Sequence, residues 1–151
     1  MVLISLAVLA ACGFDPRPLA SLEAMPEYHL VYPGAVVLSS GGLNEQTSIE
    51  GTNYADAGHL LGTNAPIIDV WSFYTVQLQK LGWAPTLYDA GAAPTVEIAA
   101  FAWAKGAAVF RLVLLRTSES GLPASEQARF TAIFRIDLEH RPIPAGSAPG
   151  G

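Results

Sequence analysis

The sequence is poor in charged residues, in histidine and, above all, in cysteine. Only 14% of the 151 residues are charged, three are histidine and one is cysteine. A single cysteine cannot form an internal disulfide. The three histidines, His29, His59 and His140, lack the spacing of metal ligands. Disulfide scaffolds and zinc modules are therefore excluded, and no metal is expected.

Basic residues are also scarce. There are eight Lys and Arg against 13 Asp and Glu, which gives a net charge of −5. A protein that binds nucleic acid needs a basic surface to displace counterions from phosphates, so no nucleic-acid partner is expected. Hydrophobic residues are abundant at 51% of the chain. A chain of this length and composition can bury the core of one folded domain.

The first eleven residues are mostly apolar and lead to the only cysteine. This run is too short to cross a bilayer core of about 30 Å, but its length is typical of the hydrophobic part of a signal peptide. The sequence Leu9-Ala10-Ala11-Cys12 resembles the lipobox of bacterial lipoproteins. The resemblance implies that Cys12 receives a diacylglycerol and that a signal peptidase cleaves between Ala11 and Cys12. The alternative is a buried strand over residues 2–11 with Cys12 as a core thiol.

Composition divides the chain into four predicted segments. Residues 1–11 form the signal peptide, residues 12–27 the lipidated cysteine and a proline-containing linker, residues 28–141 a single domain, and residues 142–151 a disordered tail. The expected location is the extracytoplasmic face of a cell membrane, held by the lipid. Gly13 is not the acidic residue that retains many lipoproteins at an inner membrane, which points to the outer membrane if the organism has two.

A helix over residues 66–81 is the clearest predicted element. Its apolar residues recur at helical spacing, and Pro66 suits the first helical position. Gly82 suits the left-handed residue that ends a helix, with Trp83 folding back on Leu78.

Strands are predicted over residues 28–39, with a bend at Pro33-Gly34, and over residues 96–104, 107–117 and 129–139. A further short strand is predicted around residues 47–54. The predicted fold class is α+β, with an antiparallel sheet of about four strands, one helix packed on a face, and the order β-α-β-β-β.

A second resemblance spans residues 28–90. Tyr32-Pro33-Gly34-Ala35, Phe73-Tyr74, Leu78 and Gly82-Trp83 together resemble a pattern in small uncharacterised bacterial lipoproteins. These are packing and helix-capping residues. The resemblance therefore implies a fold and a location, and no catalytic role.

Motifs that carry chemistry are few. There is no Gly-x-Ser-x-Gly elbow, phosphate loop or dinucleotide fingerprint, so no cofactor is expected and the sequence favours a non-enzyme. Asp56 and His59, three positions apart in a predicted polar loop, are candidate ligand or catalytic residues, although no serine is marked as their nucleophile. Phe101 and Trp103 share a strand face that either binds a ligand or is buried under a long loop.

The favoured hypothesis is a membrane-anchored, non-catalytic binding or envelope-assembly module, with an envelope protein or glycan as partner. The alternative is a small extracytoplasmic hydrolase or ligand-binding enzyme that uses the Asp56/His59 loop. A purely structural spacer is the third interpretation.

Overall fold

The structure is a computed structural model that describes residues 18–48, 51–86, 100–115 and 120–141. The predicted signal peptide, Cys12 and the predicted tail over residues 142–151 lie outside the described residues. In chain order the elements are α1 (Pro18–Glu23), a 3₁₀ helix (Pro26–His29), β1 (Val36–Leu43), β2 (Gln46–Ser48), β3 (Gly51–Asn53), β4 (Asp56–Thr63), α2 (Ile67–Lys80), β5 (Ala84–Pro85), β6 (Ala100–Lys105), β7 (Ala108–Leu115), α3 (Ala124–Gln127) and β8 (Ala132–His140).

Six of the strands form one antiparallel sheet in the order β1-β4-β8-β7-β6-β5, while β2 and β3 pair separately. β1 pairs with β4, and α2 then carries the chain to the far edge, where β5 pairs with β6. Strands β6, β7 and β8 return across the sheet until β8 pairs with β4. The α+β class and the antiparallel sheet are confirmed. Within the described residues the sheet has six strands rather than about four, and α1, α3 and the 3₁₀ helix accompany α2.

Helix α2 confirms the helical prediction to within one residue at each end. Gly82 has a φ of +83°, in the left-handed region that favours glycine. Its N–H donates to the carbonyl of Gln79 at 3.0 Å, and the N–H of Trp83 donates to the carbonyl of Leu78 at 2.9 Å. These two bonds are the Schellman pattern, so the predicted helix end is also confirmed.

Helix α2 covers one face of the sheet, called the inner face below. It buries Val70, Tyr74 and Leu78. The ring centroid of Tyr74 lies 5.6 Å from the ring centroid of Phe110 on β7 and 6.2 Å from that of Phe134 on β8. The core therefore lies between α2 and the middle strands, and the opposite side of the sheet is called the outer face.

The ligand-binding candidates Phe101 and Trp103 belong to this core. Their side chains are 1% and 3% exposed, and the ring of Phe101 lies 6.2 Å from that of Trp71 on α2. Strand β6 directs both side chains towards the inner face, where the helix layer covers them. These two residues therefore do not form an exposed aromatic surface.

The prediction of a strand over residues 28–39 is wrong for residues 28–35. Tyr28 and His29 end the 3₁₀ helix, and β1 begins only at Val36. Between them the N–H of Ala35 donates to the carbonyl of Tyr32 at 2.9 Å, and Gly34 has a φ of +87°. Pro33 and Gly34 thus occupy the central positions of a tight turn, which both residue types favour, rather than a bend within a strand.

Residues 18–27, predicted as part of the linker, belong instead to the folded domain. Leu22 on α1 is 2% exposed and Glu27 in the 3₁₀ helix is 1% exposed. Pro18 and Pro26 suggested an extended linker, but each begins a helix. At that position the missing N–H of proline removes no hydrogen bond of the helix.

The remaining strand predictions are largely confirmed. Strands β6, β7 and β8 lie within the three predicted ranges or extend one residue past them, and the parts over residues 96–99 and 116–117 lie outside the described residues. Lys105 pairs with Ala108 across the predicted hairpin turn. The short strand predicted around residues 47–54 is instead the hairpin of β2 and β3, followed by the full strand β4.

Candidate functional site

Asp56 and His59 both lie on β4 rather than in a loop. Asp56 pairs with Glu139 and His59 with Ile136 across the ladder to β8. Side chains alternate between the two faces of a strand, so residues three positions apart point in opposite directions. His59 lies on the inner face and Asp56 on the outer face, and the sheet separates the pair that the sequence suggested.

The outer face carries a shallow groove of about 190 Å³, whose lining includes Ser39, Gly41, Asp56, Gly58, Arg135 and Asp137. Gly41 on β1 pairs with Gly58 on β4, so two neighbouring positions lack side chains. The backbone of β1 is therefore accessible at Gly41 on the floor of the groove, with charged side chains of β4 and β8 beside it.

Gly58 is required by the position of Asp137. A Cβ atom at Gly58 would lie 2.6 Å from Oδ1 of Asp137 and closer still to the carbonyl oxygen of Ile136. Side chains do not approach backbone and carboxylate atoms this closely. The carboxylate of Asp137 therefore extends over β4 into the space that the glycine leaves.

Burial raises the pKa of Asp137, although Arg135 opposes this effect. The Arg135 Nε–H donates to Oδ2 of Asp137 at 2.8 Å, while the nearby carboxylate of Asp56 raises the pKa of Asp137 further. Next to this pair on the same face, Glu139 forms ion pairs with Arg111 and Arg141. Charged side chains of both signs thus lie in the groove and beside it on the outer face.

A different group of side chains surrounds His59 on the inner face. Ser40 Oγ lies 2.7 Å from Nδ1 of His59, and Nε2 of His59 lies 3.0 Å from the carbonyl oxygen of Tyr28. The Tyr28 ring lies 4.3 Å from the imidazole, which is 9% exposed. Sequence reasoning missed Ser40 because only the register of β1 against β4, 19 positions along the chain, places it opposite His59.

A third polar group is enclosed by the core. Glu27 accepts a hydrogen bond from the indole N–H of Trp83 at 2.8 Å, and Lys105 Nζ lies 3.5 Å from the same oxygen. This carboxylate joins the 3₁₀ helix to the end of α2 and to β6. Its burial and its fixed partners indicate a structural role.

Within the described ranges no helix is both long and apolar enough to span a bilayer. Among residues 18–48, 51–86, 100–115 and 120–141 no group of three or more His, Cys, Asp or Glu side chains could hold a metal ion.

Comparison of the chain with protein-family models, with curated proteins and with solved structures gives no match. Function is therefore inferred from the geometry of the sites and from the sequence motifs.

Proposed function

We propose that this chain is an extracytoplasmic lipoprotein, anchored by a lipid on Cys12, whose domain binds an envelope component through the groove on the outer face. The motif Leu9-Ala10-Ala11-Cys12 supports the anchor. The observation that carries the binding role is the groove itself, in which Gly41 leaves the backbone of β1 accessible beside charged side chains.

The position of α1 determines how far the domain extends from the anchor. Pro18 begins the helix and follows Cys12 by six positions. Six fully extended residues span about 20 Å at most. The lipid would therefore hold the domain close to the membrane surface, within reach of envelope proteins and glycans and without the long spacer that the sequence suggested.

The charges of the groove favour binding over catalysis at this site. Asp137 is bonded to Arg135, and Glu139 is paired with two arginines. Side chains held in ion pairs are poorly placed to exchange protons with a substrate, but they form a fixed pattern of donors and acceptors. Hydroxyl groups of a glycan or polar groups of an envelope protein can complement such a pattern.

Substitution of the cysteine tests the anchor. Cys12→Ala is expected to abolish the incorporation of labelled fatty acid and to release the protein from the membrane fraction, while the fold is retained. Gly13→Ala leaves the thiol in place and serves as the matched control, which should remain lipidated. A Cys12→Ala protein that stays in the membrane fraction would contradict the anchor.

A charge reversal tests the groove. The full chain carrying Cys12→Ala is mixed with isolated envelope fragments, and the fraction that cosediments is measured. When the fragments are titrated, adding Asp56→Lys should raise the dissociation constant about tenfold, which corresponds to roughly 1.4 kcal/mol of binding free energy. Asp69→Lys makes the same charge change on the exposed side of α2 and should leave cosedimentation unchanged. Equal losses in both variants would show that net charge, not the groove, controls binding.

A further inference from the structure

The hydrogen bonds of His59 determine which of its nitrogens carries the proton. A carbonyl oxygen only accepts, so Nε2 must donate its hydrogen to the carbonyl of Tyr28, 3.0 Å away. In the neutral imidazole Nδ1 is then an acceptor, and the hydroxyl of Ser40 donates to it at 2.7 Å. The serine proton is therefore already directed at a basic nitrogen.

This arrangement has the parts of an activated nucleophile. A serine needs an adjacent base within hydrogen-bond reach, and the base needs a third group that fixes its tautomer and stabilises its charged form. Here Ser40 is the hydroxyl, His59 the base and the Tyr28 carbonyl the third group. We propose that Ser40 is a nucleophile activated by His59, and that this inner-face site hydrolyses carboxylic esters with short acyl chains.

The surroundings of the pair suit this role. Ser40 is exposed on β1 whereas His59 is mostly buried beneath Tyr28, so a substrate can reach the hydroxyl while the base stays in place. Val37 pairs with Leu61 on the same face and is 42% exposed. It offers an apolar contact for a short acyl chain beside the serine.

The edge position of β1 supplies a donor for the developing oxyanion. Among the residues that the structure describes, β1 is an outer strand of the six-stranded sheet. In an edge strand, alternate residues direct their N–H groups away from the partner strand. Of the adjacent Ser40 and Gly41, one therefore presents its N–H on the side away from β4. A backbone N–H of the nucleophile's own residue or of the next one can stabilise the negative oxygen of a tetrahedral intermediate.

The reaction proceeds in two balanced steps. Ser40 Oγ bonds to the acyl carbon as its proton passes to Nδ1 of His59, and the ester C–O bond then breaks as the leaving alcohol takes that proton. In the second step a water molecule gives a proton to His59 and its hydroxyl to the acyl carbon. The bond to Ser40 breaks, the serine regains the proton, and a carboxylic acid is released.

The test uses a fluorophosphonate probe, which reacts with activated serines, on the full chain. Intact mass should show one adduct, and peptide mapping should place it on Ser40. Ser40→Ala should abolish the adduct, and His59→Gln should slow labelling about 100-fold, at the lower end of what a general base contributes. Ser72→Ala, on the exposed side of α2, is the control and should label like the unaltered protein.

Because His59 is mostly buried, its replacement could unfold the protein, so the unaltered chain is also labelled in concentrated urea. Labelling of Ser40 must be at least tenfold faster in the native protein than in the unfolded one. The native chain must also hydrolyse p-nitrophenyl acetate faster than Ser40→Ala does. Equal labelling in urea, an adduct on Ser39 or Tyr28 instead, or labelling without ester turnover would each overturn the proposal. The proposed binding function is tested separately, by the cosedimentation of Asp56→Lys, so failure of one proposal is distinguishable from failure of the other.

Discussion

Trp83 and Glu27, 56 positions apart in the chain, share a buried hydrogen bond in which the indole N–H donates to the carboxylate at 2.8 Å. Trp83 follows the end of α2, and Glu27 lies in the 3₁₀ helix. A buried carboxylate without donors is costly, so this contact holds the N-terminal helical segment against the rest of the domain.

Removing the indole donor should therefore destabilise the fold. Trp83→Phe is expected to lower the free energy of unfolding by about 2 to 4 kcal/mol, because it leaves Glu27 poorly paired and reduces the ring volume. Lys105→Met is the comparison and should cost under about 1 kcal/mol, since the lysine side chain is 47% exposed. Urea denaturation measures both. Adding Glu27→Gln to Trp83→Phe should cost less than the sum of the single changes, and strict additivity would contradict the coupling.

The two glycines of the groove should differ in their tolerance of a side chain. Gly58→Ala is expected to cost about 1 to 3 kcal/mol, because its Cβ would overlap Asp137 and the Ile136 carbonyl. Gly41→Ala meets nothing within 4 Å and should change stability by under about 0.5 kcal/mol. Thermal and urea unfolding distinguish the two variants. Equal costs would mean that Asp137 does not lie over Gly58.

Because of Tyr74, the free energy of unfolding is expected to depend on pH in the alkaline range. Burial raises the pKa of its hydroxyl, which donates to the Leu30 carbonyl at 3.2 Å. Above about pH 10 an unfolded tyrosine loses its proton while folded Tyr74 keeps it, so stability is complete below that pH and falls as the pH rises, by up to about 1.4 kcal/mol per pH unit.

Tyr74→Phe should remove this dependence. At neutral pH the variant is expected to be about 1 kcal/mol less stable, because the Leu30 carbonyl loses its donor. Above pH 10 the difference should shrink as the unaltered protein loses stability. All other tyrosines are common to both proteins, so parallel curves of unfolding free energy against pH would contradict the effect.

The raised pKa of Asp137 predicts that the stability of the fold depends on pH in the acidic range. Its pKa is raised, chiefly by burial, so the folded state holds the carboxyl proton more tightly than the unfolded state does. Its contribution is then complete below the pKa of an unfolded aspartate, about 3.9, and is lost as the pH rises through the folded pKa. Asp137→Asn cannot ionise. Its melting temperature relative to the unaltered protein should increase from pH 3 to pH 7, and a decrease would show that the pairing with Arg135 outweighs burial.

The two candidate sites were only partly visible in the sequence. The sequence marks both Asp56 and His59 as candidates, but it predicts a polar loop for their strand because Gly58 and the preceding Gly, Asn and Thr residues hide its alternation. Because β4 is a strand, the side chains of Asp56 and His59, three positions apart, lie on opposite faces of the sheet. Pairing between β1 and β4 places Gly41 beside Gly58 and Ser40 beside His59. No local sequence pattern indicates this pairing.

The features that local sequence patterns predict correctly are short-range ones. Apolar periodicity, Pro66 and the Gly82-Trp83 cap were enough to define α2, and Lys105-Gly106 between two apolar runs defined the β6–β7 hairpin. The packing of the whole domain buries Phe101 and Trp103, brings Glu27 to Trp83, and places Ser40 rather than Asp56 beside His59. These relationships depend on which strands become neighbours and in what register. Register is set by burial of the whole inner face and not by any short stretch of residues.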